Sequence, residues 1–97
     1  MNKNELLQLY KKICRRSSDP EVYANTNLWK ENSADADYVY SMIRISDMID
    51  ILKERIGNKD ESLAVIEGFE RHLESFESQF AEKEQSEKFE EIKRKYL

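Results

Sequence analysis

The sequence predicts an all-α fold, a small antiparallel helical bundle built on a central helical hairpin. Apolar residues recur at steps of three and four in two long segments, which is the period of a helix. Only residues 57–60 separate the segments, a length typical of a chain reversal. Glycine and proline are scarce, with two and one among 97 residues, as expected for helices joined by few turns. The two stripes are Tyr38, Met42, Ile45, Ile49, Leu52 and Ile56, and Val65, Ile66, Phe69, Leu73, Phe76 and Phe80.

The first predicted helix covers residues 3–16, within a basic N-terminal segment of residues 1–16. Asn2 and Glu5 stand at capping-box spacing. Five cations face one anion here, whereas 11 cations face 19 anions in the remainder of the chain. The cations at the end of the segment complement the helix dipole, and they also offer an alternative site for weak nucleic-acid binding. These cations are Lys11, Lys12, Arg15 and Arg16, and the predicted buried stripe is Leu6, Leu9 and Ile13.

Residues 17–33 are predicted to form a loop that contains one short helix near residues 20–24. Asp19 can cap a helix whose first residue is Pro20. The segment 25–29 reads as irregular, because Asn and Thr side chains compete for backbone hydrogen bonds. It carries Trp29, the only tryptophan. This loop either covers the bundle as a lid or presents Trp29 to a partner.

Residues 34–57 and 60–82 are predicted to form the hairpin. Ser33 is the expected N-cap of its first helix. Gly57 is expected to end that helix in the left-handed conformation. Asp60 is the expected cap of the second helix.

A C-terminal helical segment is predicted at residues 86–97, where Phe89, Ile92 and Tyr96 form a further stripe. Phe89 follows Phe80 by nine positions, which places it on the opposite side of a straight helix. Either the chain turns near Ser86 and the stripe folds back onto the first helix, or the helix continues and a second copy covers it. We expect the second arrangement, a homodimer through this segment.

Two pairs of carboxylates suggest one enzymatic alternative. Asp47 and Asp50, followed by Glu67 and Glu70, form a D-x-x-D and E-x-x-E pattern. The pattern resembles that of the all-α nucleotide pyrophosphohydrolases, and the resemblance implies Mg²⁺ held by inward-facing acids. A projection at about 100° per residue instead turns Asp47, Asp50 and Glu67 away from the apolar stripes, toward water. We therefore expect no metal, no cofactor and no catalytic residue.

The remaining reactive side chains are isolated. His72 is the only histidine and flanks the stripe of its helix, so it is expected at the boundary of the core. Cys14 is the only cysteine, so an intramolecular disulfide is excluded and a reducing, cytoplasmic location is favoured. Its side chain is expected to act as a small apolar residue. The chain shows neither a signal-peptide core nor an apolar segment long enough to span a membrane, so no membrane partner is expected.

The predicted function is non-catalytic binding of another protein. Size, acidity and helical content are similar to those of bacteriocin-immunity-like bundles, phage-encoded inhibitors and small secretion partner proteins. The prediction is an inhibitor, immunity factor or regulator of a larger protein, whose dense acidic surface can mimic nucleic-acid charge. The predicted partner-binding residues are Trp29, Glu67, Glu70, Glu74, Glu77, Phe89, Ile92 and Tyr96.

Overall fold

The computed structural model describes residues 1–58 and 60–97, and within these ranges the protein is all-α, with no strand. The predicted fold class is confirmed. Part of the predicted 57–60 reversal falls on Lys59, which lies outside the described residues. The helices are α1 Lys3–Arg16, α2 Pro20–Tyr23, α3 Thr26–Ile56, α4 Leu63–Glu84 and α5 Glu87–Tyr96.

The first two helices form as their caps predict. The Asn2 side chain accepts from the Glu5 backbone N–H at 2.9 Å, and the Glu5 side chain accepts from the Asn2 N–H, which completes a capping box. Asp19 caps α2, with Pro20 at the first helical position. Val22 anchors this short helix because its side chain is buried.

The loop predicted at residues 17–33 is wrong in its second half, because α3 begins at Thr26 and not at residue 34. Asn25 supplies the cap, and its side chain accepts from the N–H groups of Asn27 and Leu28. Ser33, the expected cap, therefore lies inside the helix. The amide of Asn32 donates to the Ile13 carbonyl at 3.1 Å, a tertiary hydrogen bond that joins this part of α3 to α1.

Helices α3 and α4 form the predicted antiparallel hairpin. Gly57 has φ −74°, so the expected left-handed C-terminal residue is wrong, and its N–H bonds to the Lys53 carbonyl within the ordinary helical region. The expected cap Asp60 is also wrong, since the Ser62 side chain caps α4 by accepting from Val65. At its two ends the turn therefore has a right-handed Gly57 and a Ser62 side-chain cap.

The chain turns at Ser86, and α5 folds back onto α1. The Ser86 hydroxyl caps α5 by accepting from the Phe89 N–H at 3.1 Å. Phe89 and Ile92 are fully buried in one cluster with the apolar stripe of α1. Of the two predicted arrangements, the structure has the folded-back one. Phe89 and Ile92 are therefore not exposed for the expected self-association through Phe89, Ile92 and Tyr96.

The core lies at one end of an elongated molecule of 55 × 22 × 20 Å. Helix α4 contributes no side chain that is as deeply buried as those of α1, α3 and α5. In the described part of the chain, no helix has the length and apolar content needed to cross a bilayer. The buried cluster consists of Leu6, Leu9, Ile13, Val39, Met42, Ile43, Phe89 and Ile92.

Candidate protein-binding surface

The apolar stripe of α4 is covered from one side only. Helix α4 packs against α3 along the hairpin and meets α5 where the chain turns, while α1 packs against α3 and α5. A stripe that contacts a single neighbouring helix cannot be enclosed as the stripe of α1 is. Its central side chains are consequently half-buried, and they are Ile66, Phe69, Leu73 and Phe76.

Exposed glutamates follow this stripe along its edge. Glu70 stands four residues after Ile66, and Glu77 stands four residues after Leu73, so each glutamate lies one turn beyond an apolar residue on the same ridge. Glu67 and Glu74 extend the negative charge toward the solvent side, where Glu67, Glu70, Arg71 and Glu74 line a shallow depression. We call this surface the α4 face, and it consists of Ile66, Phe69, Leu73 and Phe76 with Glu67, Glu70, Glu74 and Glu77.

The four carboxylates of the D-x-x-D and E-x-x-E pattern are not assembled into a metal site. Lys3 Nζ lies 2.6 Å from an Asp47 oxygen and 2.7 Å from an Asp50 oxygen. Hydrogen bonds to Asp47 and Asp50 raise the pKa of Lys3. Across residues 1–58 and 60–97, no group of three or more His, Cys, Asp or Glu side chains is placed to hold a metal ion.

Trp29 lies apart from Glu67, Glu70, Glu74 and Glu77, although all five residues were predicted to bind a partner. Its side chain is 47% exposed, in the helical first part of α3. The Tyr38 hydroxyl donates to the Lys83 carbonyl at 3.1 Å, which places the end of α4 level with Tyr38. Trp29 lies nine residues before Tyr38, or about 14 Å further along α3. Trp29 and the α4 face therefore belong to different ends of the molecule.

A buried polar network, which sequence reasoning missed, holds α5 against α3. The side chain of Asp35 is 0% exposed and accepts from Lys88 Nζ at 2.7 Å, Lys95 Nζ at 3.1 Å and the Tyr96 hydroxyl at 3.0 Å. The Tyr96 hydroxyl also contacts the Asn32 side-chain oxygen at 2.9 Å. One signal for it was present in the sequence: Asn32 and Asp35 share a helical face, as do Lys88 and Lys95.

The network also sets the protonation of its members. Burial raises the pKa of Asp35, but hydrogen bonds from Lys88, Lys95 and Tyr96 outweigh burial and hold the pKa below its ordinary value. Burial and the hydrogen bond to Asp35 both raise the pKa of Tyr96. Burial opposes the charge of Lys95, yet hydrogen bonds to Glu31 and Asp35 leave its pKa raised. The network is therefore a charged, fully hydrogen-bonded connection between the two helices.

The remaining candidates lie apart from one another. The N-terminal cations are exposed on α1, and the Arg16 guanidinium lies 5.6 Å from the centre of the Tyr96 ring. His72 is exposed on α4, whereas Cys14 is a free, half-buried thiol on α1. No family model, no curated protein and no solved structure matches this chain.

Proposed function

We propose that this protein is a non-catalytic binding module that acts on a larger protein, as an inhibitor, immunity factor or regulator, and that its contact surface is the α4 face. One observation carries the proposal: α4 bears a complete apolar stripe but has no deeply buried side chain. A helix of this kind gains stability when a further helix covers it. Because the stripe is edged by glutamates, a basic partner fits it best.

The proposed partner contact is a basic amphipathic helix lying along α4. Its apolar residues would cover Phe69 and Leu73, and its Lys or Arg residues would face Glu70 and Glu77. Full burial of such a side chain contributes about 1.5–3 kcal/mol, and only the smaller part of each side chain remains exposed, so covering it contributes less than about 1 kcal/mol for each residue. The glutamates mainly add partner selection and association rate, because charges at the rim of an interface steer encounter.

The spacing of the glutamates also suits a nucleic-acid-binding partner. From Glu67 to Glu77 the acids recur at steps of three and four, over about 15 Å of helix. A groove that binds phosphates presents Lys and Arg along a line, and an acidic helix can occupy the same groove by mimicking that charge. In this form of the proposal, the bound protein is an enzyme or regulator of nucleic acid.

Affinity capture from cells of the native host tests the proposal. The bait is compared with a Glu70→Lys, Glu74→Lys, Glu77→Lys variant. A second triple variant, Glu21→Lys, Glu54→Lys, Glu91→Lys, changes the net charge equally but at exposed positions outside α4. We expect a partner that is retained by the wild type and by the second variant, lost by the first, and released by high salt.

Capture that is equal for all three baits would contradict a role for the α4 face. Catalysis is checked separately, by measuring pyrophosphate release from nucleotides with Mg²⁺ or Mn²⁺. Turnover by the wild type that disappears in Glu67→Gln would overturn the non-catalytic proposal in favour of the pyrophosphohydrolase alternative.

A further inference from the structure

A second apolar surface runs along the outside of α3, and among residues 1–58 and 60–97 only Tyr10 of α1 lies against it, at the Tyr40 end. Tyr40, Met48 and Ile51 are 46%, 39% and 47% exposed. They lie at helical spacing with exposed charged residues before, between and after them. At about 100° per residue all fall within a strip about 80° wide. We call it the α3 stripe, and its residues are Asp37, Tyr40, Arg44, Met48, Ile51 and Arg55.

Tyr40 in the α3 stripe packs against neighbours from two helices. The Arg44 guanidinium lies 5.9 Å from the centre of the Tyr40 ring. The Tyr10 ring of α1 lies 5.8 Å from the Tyr40 ring, at an interplanar angle of 37°. Tyr and Arg residues held by their neighbours lose little conformational freedom on binding, and they are enriched among residues that dominate interface energies.

The order of residues in the α3 stripe is self-complementary. The six residues form three pairs of positions, Asp37 with Arg55, Tyr40 with Ile51 and Arg44 with Met48. The two members of each pair lie at nearly equal distances, in opposite directions, from a centre near residue 46. A twofold dimer of antiparallel helices requires this relation, because each residue must meet its counterpart from the opposite end. We infer that the α3 stripe binds a second copy of this chain, with α3 antiparallel to its symmetry mate.

Charge favours a second copy as the occupant. In this register Asp37 of each copy faces Arg55 of the other copy. The interface therefore contains two acid–arginine contacts, one on each side of the twofold axis. Tyr40 then covers Ile51, and the aliphatic part of Arg44 covers Met48. The contact extends from Asp37 to Arg55, over about 27 Å, which requires helices that cross at a shallow angle of about 20°.

The proposed dimer contact uses no residue of the α4 face, because no residue of the α3 stripe belongs to α4. The dimer therefore presents two acidic faces to partners without using them for assembly. Self-association and partner capture can then fail independently: a variant of the α3 stripe should still capture the partner, and a variant of the α4 face should still dimerise.

Sedimentation of the full chain at concentrations from about 10 to about 300 μM tests self-association, a range suited to a small interface. We expect the mass to approach twice that of the 11.6 kDa chain at the upper end. Ile51→Glu should keep the protein monomeric, whereas Leu63→Glu, an exposed apolar position outside the stripe, should not. A wild type that is monomeric throughout, or a dimer that persists in Ile51→Glu, would overturn the inference.

Exchanging the charges tests the register. Asp37→Lys and Arg55→Glu should each be monomeric, since each places like charges opposite one another. An equimolar mixture of the two should form a heterodimer, because both contacts then join opposite charges. Glu54→Lys, next to Arg55 but outside the stripe, is the matched control and should dimerise. A mixture that stays monomeric, or a control as impaired as Asp37→Lys, would refute the antiparallel register.

Discussion

Replacing Asp35 by Asn should remove a large share of the protein's stability. The side chain keeps its size but loses its charge, so the three hydrogen bonds from Lys88, Lys95 and Tyr96 lose their ionised acceptor. Asn has one acceptor oxygen and places an NH₂ donor where the second carboxylate oxygen was, so at least one of the three donors loses its acceptor and the others lose the carboxylate charge; each bond to a charged group contributes about 1.5–3 kcal/mol. Over three bonds the expected loss in the free energy of unfolding is about 3 kcal/mol. That is a large share of the 5–15 kcal/mol typical of a small domain.

The same substitution should change how stability depends on pH. The pKa of Asp35 is lower in the folded protein than its ordinary value, so its contribution is complete above the unfolded pKa of about 3.9. The contribution is lost as the pH falls through the folded pKa. The neutral Asn variant resembles the protonated wild type. The difference in stability between the two proteins should therefore be largest near neutral pH and should shrink below about pH 4.

Urea unfolding followed by circular dichroism, at neutral and acidic pH, measures both effects. Asp47→Asn is the matched control, because Asp47 is exposed and Lys3 retains Asp50 as a partner. It should leave the free energy of unfolding nearly unchanged. If Asp35→Asn were as stable as the wild type at neutral pH, or if the difference were the same at acidic pH, the network would not hold α5 as we describe.

Three further experiments test the fold. Phe89→Ala should lower the free energy of unfolding by about 3–5 kcal/mol and Phe69→Ala by only about 1–2 kcal/mol, as measured by urea unfolding. The reason is that Phe89 is fully buried whereas Phe69 is half-buried. Equal losses for the two variants would contradict this difference. Ser86→Ala should lower the free energy of unfolding by about 1 kcal/mol through loss of the α5 cap, which Ser86→Asp should largely restore. Gly68→Ala should raise the melting temperature, because an added Cβ meets nothing within 4 Å at this helical position; a lower melting temperature would refute it.

Helix periodicity and local caps predicted most of the fold. The start of α1, the turn before α2 and the hairpin all followed from short-range patterns. The start of α3 did not, because propensity at residues 25–29 favoured irregular structure, whereas Asn32 and Asp35 in the following turns bond to α1 and α5. Those bonds join residues far apart in sequence, and their partners cannot be found from local spacing alone.

The surfaces were harder to predict than the helices. Helical projection correctly placed Glu67 of α4 in water, but the two stripes of the hairpin were treated as an equally buried core. Whether a stripe is enclosed depends on how many helices surround it, and α4 has one long neighbour where α3 has several. The α3 stripe was missed because Tyr40, Met48 and Ile51 lie outside the single apolar stripe that the sequence pattern assigned to this helix. Trp29, which is also exposed on α3, was assigned to a loop.

The uneven distribution of buried side chains has a functional consequence. Stability is concentrated where α1, α3 and α5 meet, around Phe89, Ile92 and Asp35. Side chains on the α4 face contribute less to folding because they are half-buried, so substitutions there can change binding at a modest cost in stability. A surface of this kind can adapt to a partner while the fold is maintained at the other end of the molecule. Loss of binding in α4 variants that keep the wild-type free energy of unfolding would therefore report on the interface itself.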